Sequence, residues 1–506
     1  MTLAAFAAVN AFAAPFTPGN ILISRVGDGS GSLTSAATAV FIDEYTPAGV
    51  FVQSVAAPTT VVGTQRIITN SGSATSEGYL ANSVDGKFVT FVGYDAPVGT
   101  ASVVGTDAAV VNRVIGLIKA DGTIDSSTAI EAYNANNIRS AVTVDGTAFW
   151  VGGTGTPASS GGVRYVAFGP GQISEQISST VTNIRNVKIW FNQLFAGSMS
   201  GAFRGVNTVG TGLPTTPGQI ITLLPGFDPS TSSPQSIYDF VFTDANTLYL
   251  ADDRTPANGG GLQKWTFDSN IGEWVRQYTI TAGLSGTATI RGLIVKPDVL
   301  GNVVYATSTE GSANSFVTLV DLGPSSSFSV LATAPTNTRF RGLAFAPVGA
   351  AAPETIAPDA LTLQRGQIIA GTIADLATDN NVALRLKKFF VANPVEPFVW
   401  GTLQGTTSIL SPSSVTFRVK SRMVTGGQFR QELEQWNWNT SSYENLLNTN
   451  PFNTVYGTRE SIASPATGKV NGSGRLQARI RTFPNGISAN PLPEVDWDLV
   501  NWIVNP

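Results

Sequence analysis

Neither histidine nor cysteine occurs among the 506 residues. Those two absences exclude a Ser-His-Asp triad, a cysteine nucleophile, a histidine-ligated haem and a His/Cys zinc site. Charged residues make up only 13% of the chain, and 30 basic against 34 acidic residues leave a net charge of −4. That balance gives no electrostatic footprint for nucleic acid. No later stretch reaches the ~18 to 20 apolar residues of a membrane span, so no membrane insertion is expected. No phosphate-binding loop occurs, and Gly27-Asp-Gly-Ser-Gly31 reads as a turn between strands because no helical pattern follows it. What is abundant is glycine, at 52 residues, with 28 prolines and many Ser, Thr, Ala, Val and Asn. With 42% hydrophobic residues, this composition favours short strands joined by turns around a sizeable core.

The first residues form an apolar run that ends in Ala11-Phe12-Ala13, an A-x-A pattern with Pro15 beyond it. Residues 1–14 therefore read as the remnant of a secretory signal, although no basic stretch precedes the run. A secreted, extracellular or cell-surface location follows as the expectation.

Six segments repeat one pattern: an apolar residue, an Arg or Tyr, a small or polar residue, then an alternating strand. They are Gly78-Tyr-Leu-Ala81, Ile138-Arg-Ser-Ala-Val142, Ile184-Arg-Asn-Val187, Ile237-Tyr-Asp-Phe240, Ile290-Arg-Gly-Leu293 and Phe340-Arg-Gly-Leu343. The second positions are Tyr79, Arg139, Arg185, Tyr238, Arg291 and Arg341, spaced by roughly 50 residues. Each complete unit holds four candidate strands, which is the content of a propeller blade. The last unit has one strand, and three more stand at the N-terminus, at Asn20–Arg25, Ala39–Tyr45 and Gly49–Val55. Residues 15–347 are accordingly predicted to form a six-bladed β-propeller closed one strand plus three, with seven blades as the rival count.

Residues 348–358 read as a Pro/Ala linker, and residues 359–506 as a jelly-roll-like β-sandwich. In that segment Val415, Phe417 and Val419 alternate with Thr416, Arg418 and Lys420. Such period-2 strands bury one face and wet the other. The wet face carries Arg418, Lys420, Arg422, Arg475, Arg479 and Arg481, and reads as basic.

The opening Asn20-Ile-Leu-Ile-Ser-Arg-Val-Gly-Asp-Gly29, Val40-Phe-Ile-Asp-Glu-Tyr-Thr46, Leu361-Thr-Leu-Gln-Arg-Gly366 and Trp436-Asn-Trp-Asn-Thr440 resemble a group of secreted bacterial β-propeller proteins with a C-terminal β-sandwich. The group has no assigned activity, so the resemblance implies fold and setting and supplies no catalytic residues.

Two sets of residues are candidates for ligand contact. Tyr79, Arg139, Arg185, Tyr238, Arg291 and Arg341 would ring one mouth of a central channel, offering donors to carboxylate, phosphate, sulfate or sugar hydroxyls. The competing reading is that each Arg ties its blade to the next through backbone carbonyls. Trp436 and Trp438 are the second set, placed to stack on sugar rings or to fill the core; Tyr443, Trp497 and Trp502 accompany them. Carboxylates are the acid/base route left, with Glu77, Asp239, Asp252-Asp253 and Asp43-Glu44 as candidates. No cofactor and no dedicated metal site are expected, beyond a weak surface Ca²⁺ at adjacent Asp residues.

The absence of a catalytic motif favours a non-enzymatic cell-surface, matrix or fibre protein whose propeller is an interaction platform. Its expected partners are its own copies, other surface proteins and polysaccharide. The alternatives are a glycan-binding protein and a carboxylate-dependent glycoside hydrolase or lyase.

Overall fold

A computed structural model describes residues 14–230, 235–349, 353–388, 396–424, 429–452, 454–484 and 493–506. The expected secretory remnant therefore lies almost wholly outside the described residues. The chain forms two compact units, residues 1–349 and 350–506. Both are all-β, and among the described residues the only helical pieces are 3₁₀ turns. No helix is long and apolar enough to cross a membrane.

In the first unit, four sheets are four-stranded antiparallel meanders. Their first strands are Ile138–Val142, Ile184–Trp190, Ile237–Asp244 and Ile290–Lys296, and each begins at one of the repeated segments. Turn chemistry suits the tight connections. Phe191 and Asn192 both take positive φ between Trp190 and Gln193, as a two-residue hairpin with the twist of the strands requires. The remaining nine strands form one composite sheet. Within it Arg339–Phe345 pairs with Ile21–Val26 in the register Ile21↔Phe345 and Leu22↔Ala344. Ile21–Val26 pairs in turn with Ala37–Tyr45, and that strand with Phe51–Ala56. This closure joins the two ends of the unit and removes edges that would recruit other chains. The first strands are neighbours in cyclic order, from Ala81–Asn82 round to Arg339–Phe345 and back, which is the radial arrangement of a β-propeller. Apolar side chains from facing sheets fill the spaces between them, for example Ile115 and Phe149 in one layer and Val206 and Phe240 in another.

The Gly78 repeat departs from its fellows. Only Ala81–Asn82 is strand there, because Gly78 sits at φ +80° against the side chain of Arg341.

The second unit has a six-stranded and a five-stranded antiparallel sheet around one core. Val415, Phe417 and Val419 are fully buried in it, with Trp497 and Trp502. Gly401 and Gly405 lie against the two indoles, leaving no room for a Cβ: it would stand 2.8 Å from the Trp497 ring. Trp497 and Trp502 are thus core residues and unavailable to a sugar. Leu384–Lys387 is a short strand of the six-stranded sheet.

The basic wet face needs correction, because acidic partners from neighbouring strands neutralise it. Arg418 contacts Glu460 at 2.6 Å, Lys420 contacts Asp498 at 2.7 Å, and Arg475 contacts Asp359 at 2.7 Å. Arg422 pairs with Asp496, Arg479 with Glu434, and Arg481 with Glu432.

Candidate functional site

Arg139, Arg185, Tyr238, Arg291 and Arg341 stand near one end of their inner strands and Tyr79 just before Ala81–Asn82, and the next position decides how the sheets meet. The Ser140 hydroxyl accepts from Val187 N at 3.0 Å on the following sheet. Asn186 donates to Asp239 at 2.8 Å, and Asp239 accepts from Leu293 N at 3.1 Å. Gly292 and Gly342 leave space for the next backbone: Cβ atoms there would fall 2.4 Å from Arg341 O and from Leu80 N. These third positions stitch the inner strands together, so their small or polar character is structural.

The second positions converge. The Tyr79 and Tyr238 rings are 6.2 Å apart, and the guanidiniums of Arg185 and Arg291 stand 4.8 and 5.0 Å from the Tyr238 ring. Arg341, Arg291, Tyr79 and Tyr238 line one small void together with Glu77 and Arg339. Arg139 approaches the same cluster beside Arg185, and donates to Asn183 and to Ile184 O at 2.9 Å. Arg341 donates to Ser71 O at 2.5 Å, and Arg291 to Thr309 O at 3.2 Å. The ties to carbonyls and the convergence on the axis therefore coexist in the same side chains. Arg339, two residues before Arg341 and on the same side of its strand, joins the cluster; sequence reasoning passed over it because it lies off the repeated position.

Burial leaves its mark on these groups. It pushes the Arg139 and Arg341 guanidiniums down to about 10, and nearby Arg185 lowers Arg139 further. It pushes the Tyr79 phenol well above its usual value, with Tyr238 adding to the effect. Tyr79 is therefore a neutral donor at all ordinary pH.

Among the candidate carboxylates, most are committed to the fold. Glu77 accepts from Ser71 N, from the Tyr94 hydroxyl at 2.6 Å and from Asn137, and faces Arg341 at 3.7 Å. Asp239 is held by Lys188 at 2.6 Å, and its burial raises its pKa despite that partner. Asp252 is clamped by Arg254, Asp43 by Arg25, and Glu44 by Asn20 and Thr17 N. Asp253 is different. It keeps partial exposure, accepts from Ser236 at 2.5 Å and faces Arg291 at 3.3 Å. Glu310 follows Thr309, whose carbonyl Arg291 holds, and its buried Oε2 has no hydrogen-bond partner among the described residues. The described residues contain no group of three or more carboxylates able to hold a metal ion.

The far halves of the inner strands line a cavity of about 610 Å³. Its wall is mainly apolar, with Leu80, Val142, Ile189, Trp190, Ile294 and Phe345, and carries Lys188 and Lys296. On the second unit, Trp436 and Trp438 are half-buried with rings 6.2 Å apart, so neither is fully core nor fully exposed. Trp436 meets the Tyr443 ring edge-on at 4.8 Å. The Arg479 guanidinium lies 4.0 Å from the Tyr443 ring and 5.6 Å from Trp400. Trp400, Tyr443 and Trp436 thus share the outer face of the five-stranded sheet, where Gln477 donates to the Tyr443 hydroxyl at 2.8 Å.

No family model matches the chain, and no curated protein does. Among solved structures, the exo-β-1,3-galactanase of Phanerochaete chrysosporium is 14% identical, covering 73% of this chain and 97% of its own, with a TM-score of 0.25. The Bacteroides ovatus xyloglucan PUL GH43B is 12% identical over 84% of this chain and 97% of its own, with a TM-score of 0.28. A CBM4 structure is 15% identical over 31% of this chain and 97% of its own, at a TM-score of 0.18. These values carry no residue role over; the chain stands as an all-β protein of propeller type. They do correct one expectation. The structures named by activity are glycoside-processing enzymes, so the non-enzymatic cell-surface, matrix or fibre reading is set aside.

Proposed function

We propose that this chain is an extracellular carbohydrate-active enzyme, a carboxylate-dependent glycoside hydrolase or lyase acting on polysaccharide. In this reading the composite sheet counts as two blades, so residues 15–347 are a six-bladed propeller and residues 359–506 a jelly-roll-like sandwich. The active mouth is the Arg/Tyr end of the axis. The observation that carries the reading is the meeting there of Tyr238, Arg185 and Arg291 with the partly exposed Asp253. Phenol hydroxyls and fixed guanidiniums orient sugar hydroxyls and stabilise developing negative charge, while carboxylates supply the proton transfer that histidine supplies elsewhere. A glycan-binding role for the second unit accompanies this, supported by the Trp400, Tyr443 and Trp436 rings on one sheet face.

Reducing-end release and absorbance of unsaturated products, followed over a panel of neutral and acidic polysaccharides, test the enzyme reading. One substrate class is expected to be cleaved, with Asp253→Asn lowering the rate by about 10²-fold or more. No cleavage of any polysaccharide by the folded chain, or full activity in Asp253→Asn, overturns it.

A further inference from the structure

Five guanidiniums gather at the Arg/Tyr end of the axis: those of Arg139, Arg185, Arg291, Arg339 and Arg341. Each has an Nε–H that is buried and without a hydrogen-bond partner among the described residues, and Arg339 and Arg341 have an unpartnered Nη1 as well. Arg139 and Arg341 are only 6% and 5% exposed. The carboxylates within ion-pair range are Glu77, 3.7 Å from Arg341, and Asp253, 3.3 Å from Arg291. Positive charge is therefore in excess where water is scarce, a costly arrangement unless a counter-charge is present.

Three of the five, Arg291, Arg339 and Arg341, line a void of about 10 Å³ with Tyr79 and Tyr238, room for one water or one monatomic ion. It is too small for a sugar ring or its carboxylate. A water molecule would fill the space but leave the charge unbalanced. We infer that a small monovalent anion of the halide class binds in this void, held by the unpartnered guanidinium donors and the Tyr79 hydroxyl, which also lacks a partner. Burial and neighbouring guanidiniums depress both Arg339 and Arg341, as fits a cationic cluster that an anion would relieve. This site shares Tyr238 and Arg291 with the proposed active mouth and does not depend on the enzyme reading.

The full chain, dialysed into sodium gluconate, is melted at constant ionic strength while gluconate is replaced by chloride or bromide, and ³⁵Cl NMR linewidths are recorded on the same protein. The expected result is a melting temperature that rises and levels off with either halide. Excess ³⁵Cl linewidth is expected with it, reduced several-fold in Arg339→Gln, whose far-UV circular dichroism stays that of the parent. Acetate and glucuronate should leave the linewidth unchanged; displacement of chloride by glucuronate assigns the donors to a sugar carboxylate and overturns the halide site. A melting temperature that follows ionic strength alone, without excess linewidth, also overturns it. These wild-type arms decide the matter even if Arg339→Gln does not fold, and neither reads enzyme activity.

Discussion

The Asp321 carboxylate is enclosed and receives three donors: the Tyr249 hydroxyl at 2.5 Å, Lys264 Nζ at 2.9 Å and the Tyr278 hydroxyl at 2.8 Å. Burial alone would raise its pKa, but these bonds outweigh burial and hold it below the usual carboxylate value. With the folded value below the unfolded one of about 3.9, the carboxylate adds stability above the unfolded value, and that contribution is lost as pH falls through the folded one. Asp321→Asn should therefore cost about 1–3 kcal/mol near neutrality. The melting-temperature gap to the parent should narrow as pH drops from about 5 toward 2. A gap independent of pH would show that the charge of Asp321 is not what its partners hold. Sequence reading could not find this cluster, because Asp321 lies 43 to 72 residues from its three donors. It did find Tyr79, Arg139, Arg185, Tyr238, Arg291 and Arg341, because a position repeated on successive inner strands must return to the same axis. Arg339 was readable by alternation with Arg341; Glu310 carried no such signal.

Among the strands, the legible ones were those with one face fully buried. Ser414–Met423 alternates because Val415, Phe417, Val419 and Met423 all enter the core. Ser442–Phe452 and Gly457–Ala463 are edge strands, each paired on one side only within its sheet. The ion pairs that neutralise the basic face were hidden. Arg481 and Glu432 sit opposite each other only once Phe429–Asn437 and Arg475–Pro484 are paired. The closing strand Arg339–Phe345 supplies the sharpest test at this scale. Gly342 N donates to Gly78 O at 3.0 Å, and a Cβ at Gly342 would meet Leu80 N, Gly78 O and Tyr79 Cα within 2.6 Å. All three are backbone atoms with no side-chain rotation to relieve them. Gly342→Ala should thus destabilise by about 1–3 kcal/mol. Gly31→Ala, with nothing within 4 Å, should stay within about 0.5 kcal/mol of the parent. Chemical denaturation measures both, and equal midpoints would contradict the close approach of the inner strands.

For the whole molecule, the two units have separate cores, with no apolar cluster shared between the described residues of one and those of the other. The first is closed by pairing its own ends, so its cooperativity resides in residues that are far apart in sequence. The second holds Phe417 at 0% exposure, with its ring 5.0 Å from that of Trp502. Separate cores give separate cooperative transitions when the units are not energetically coupled. Calorimetry of the full chain should therefore resolve two transitions. Gly342→Ala should lower only one of them, and Phe417→Ala, at a cost of about 3–5 kcal/mol, only the other. If either substitution moves both transitions together, or if one transition accounts for the whole heat, the units unfold as a single body. The stability of the first unit would then depend on the second, and the cores would have to be treated as coupled.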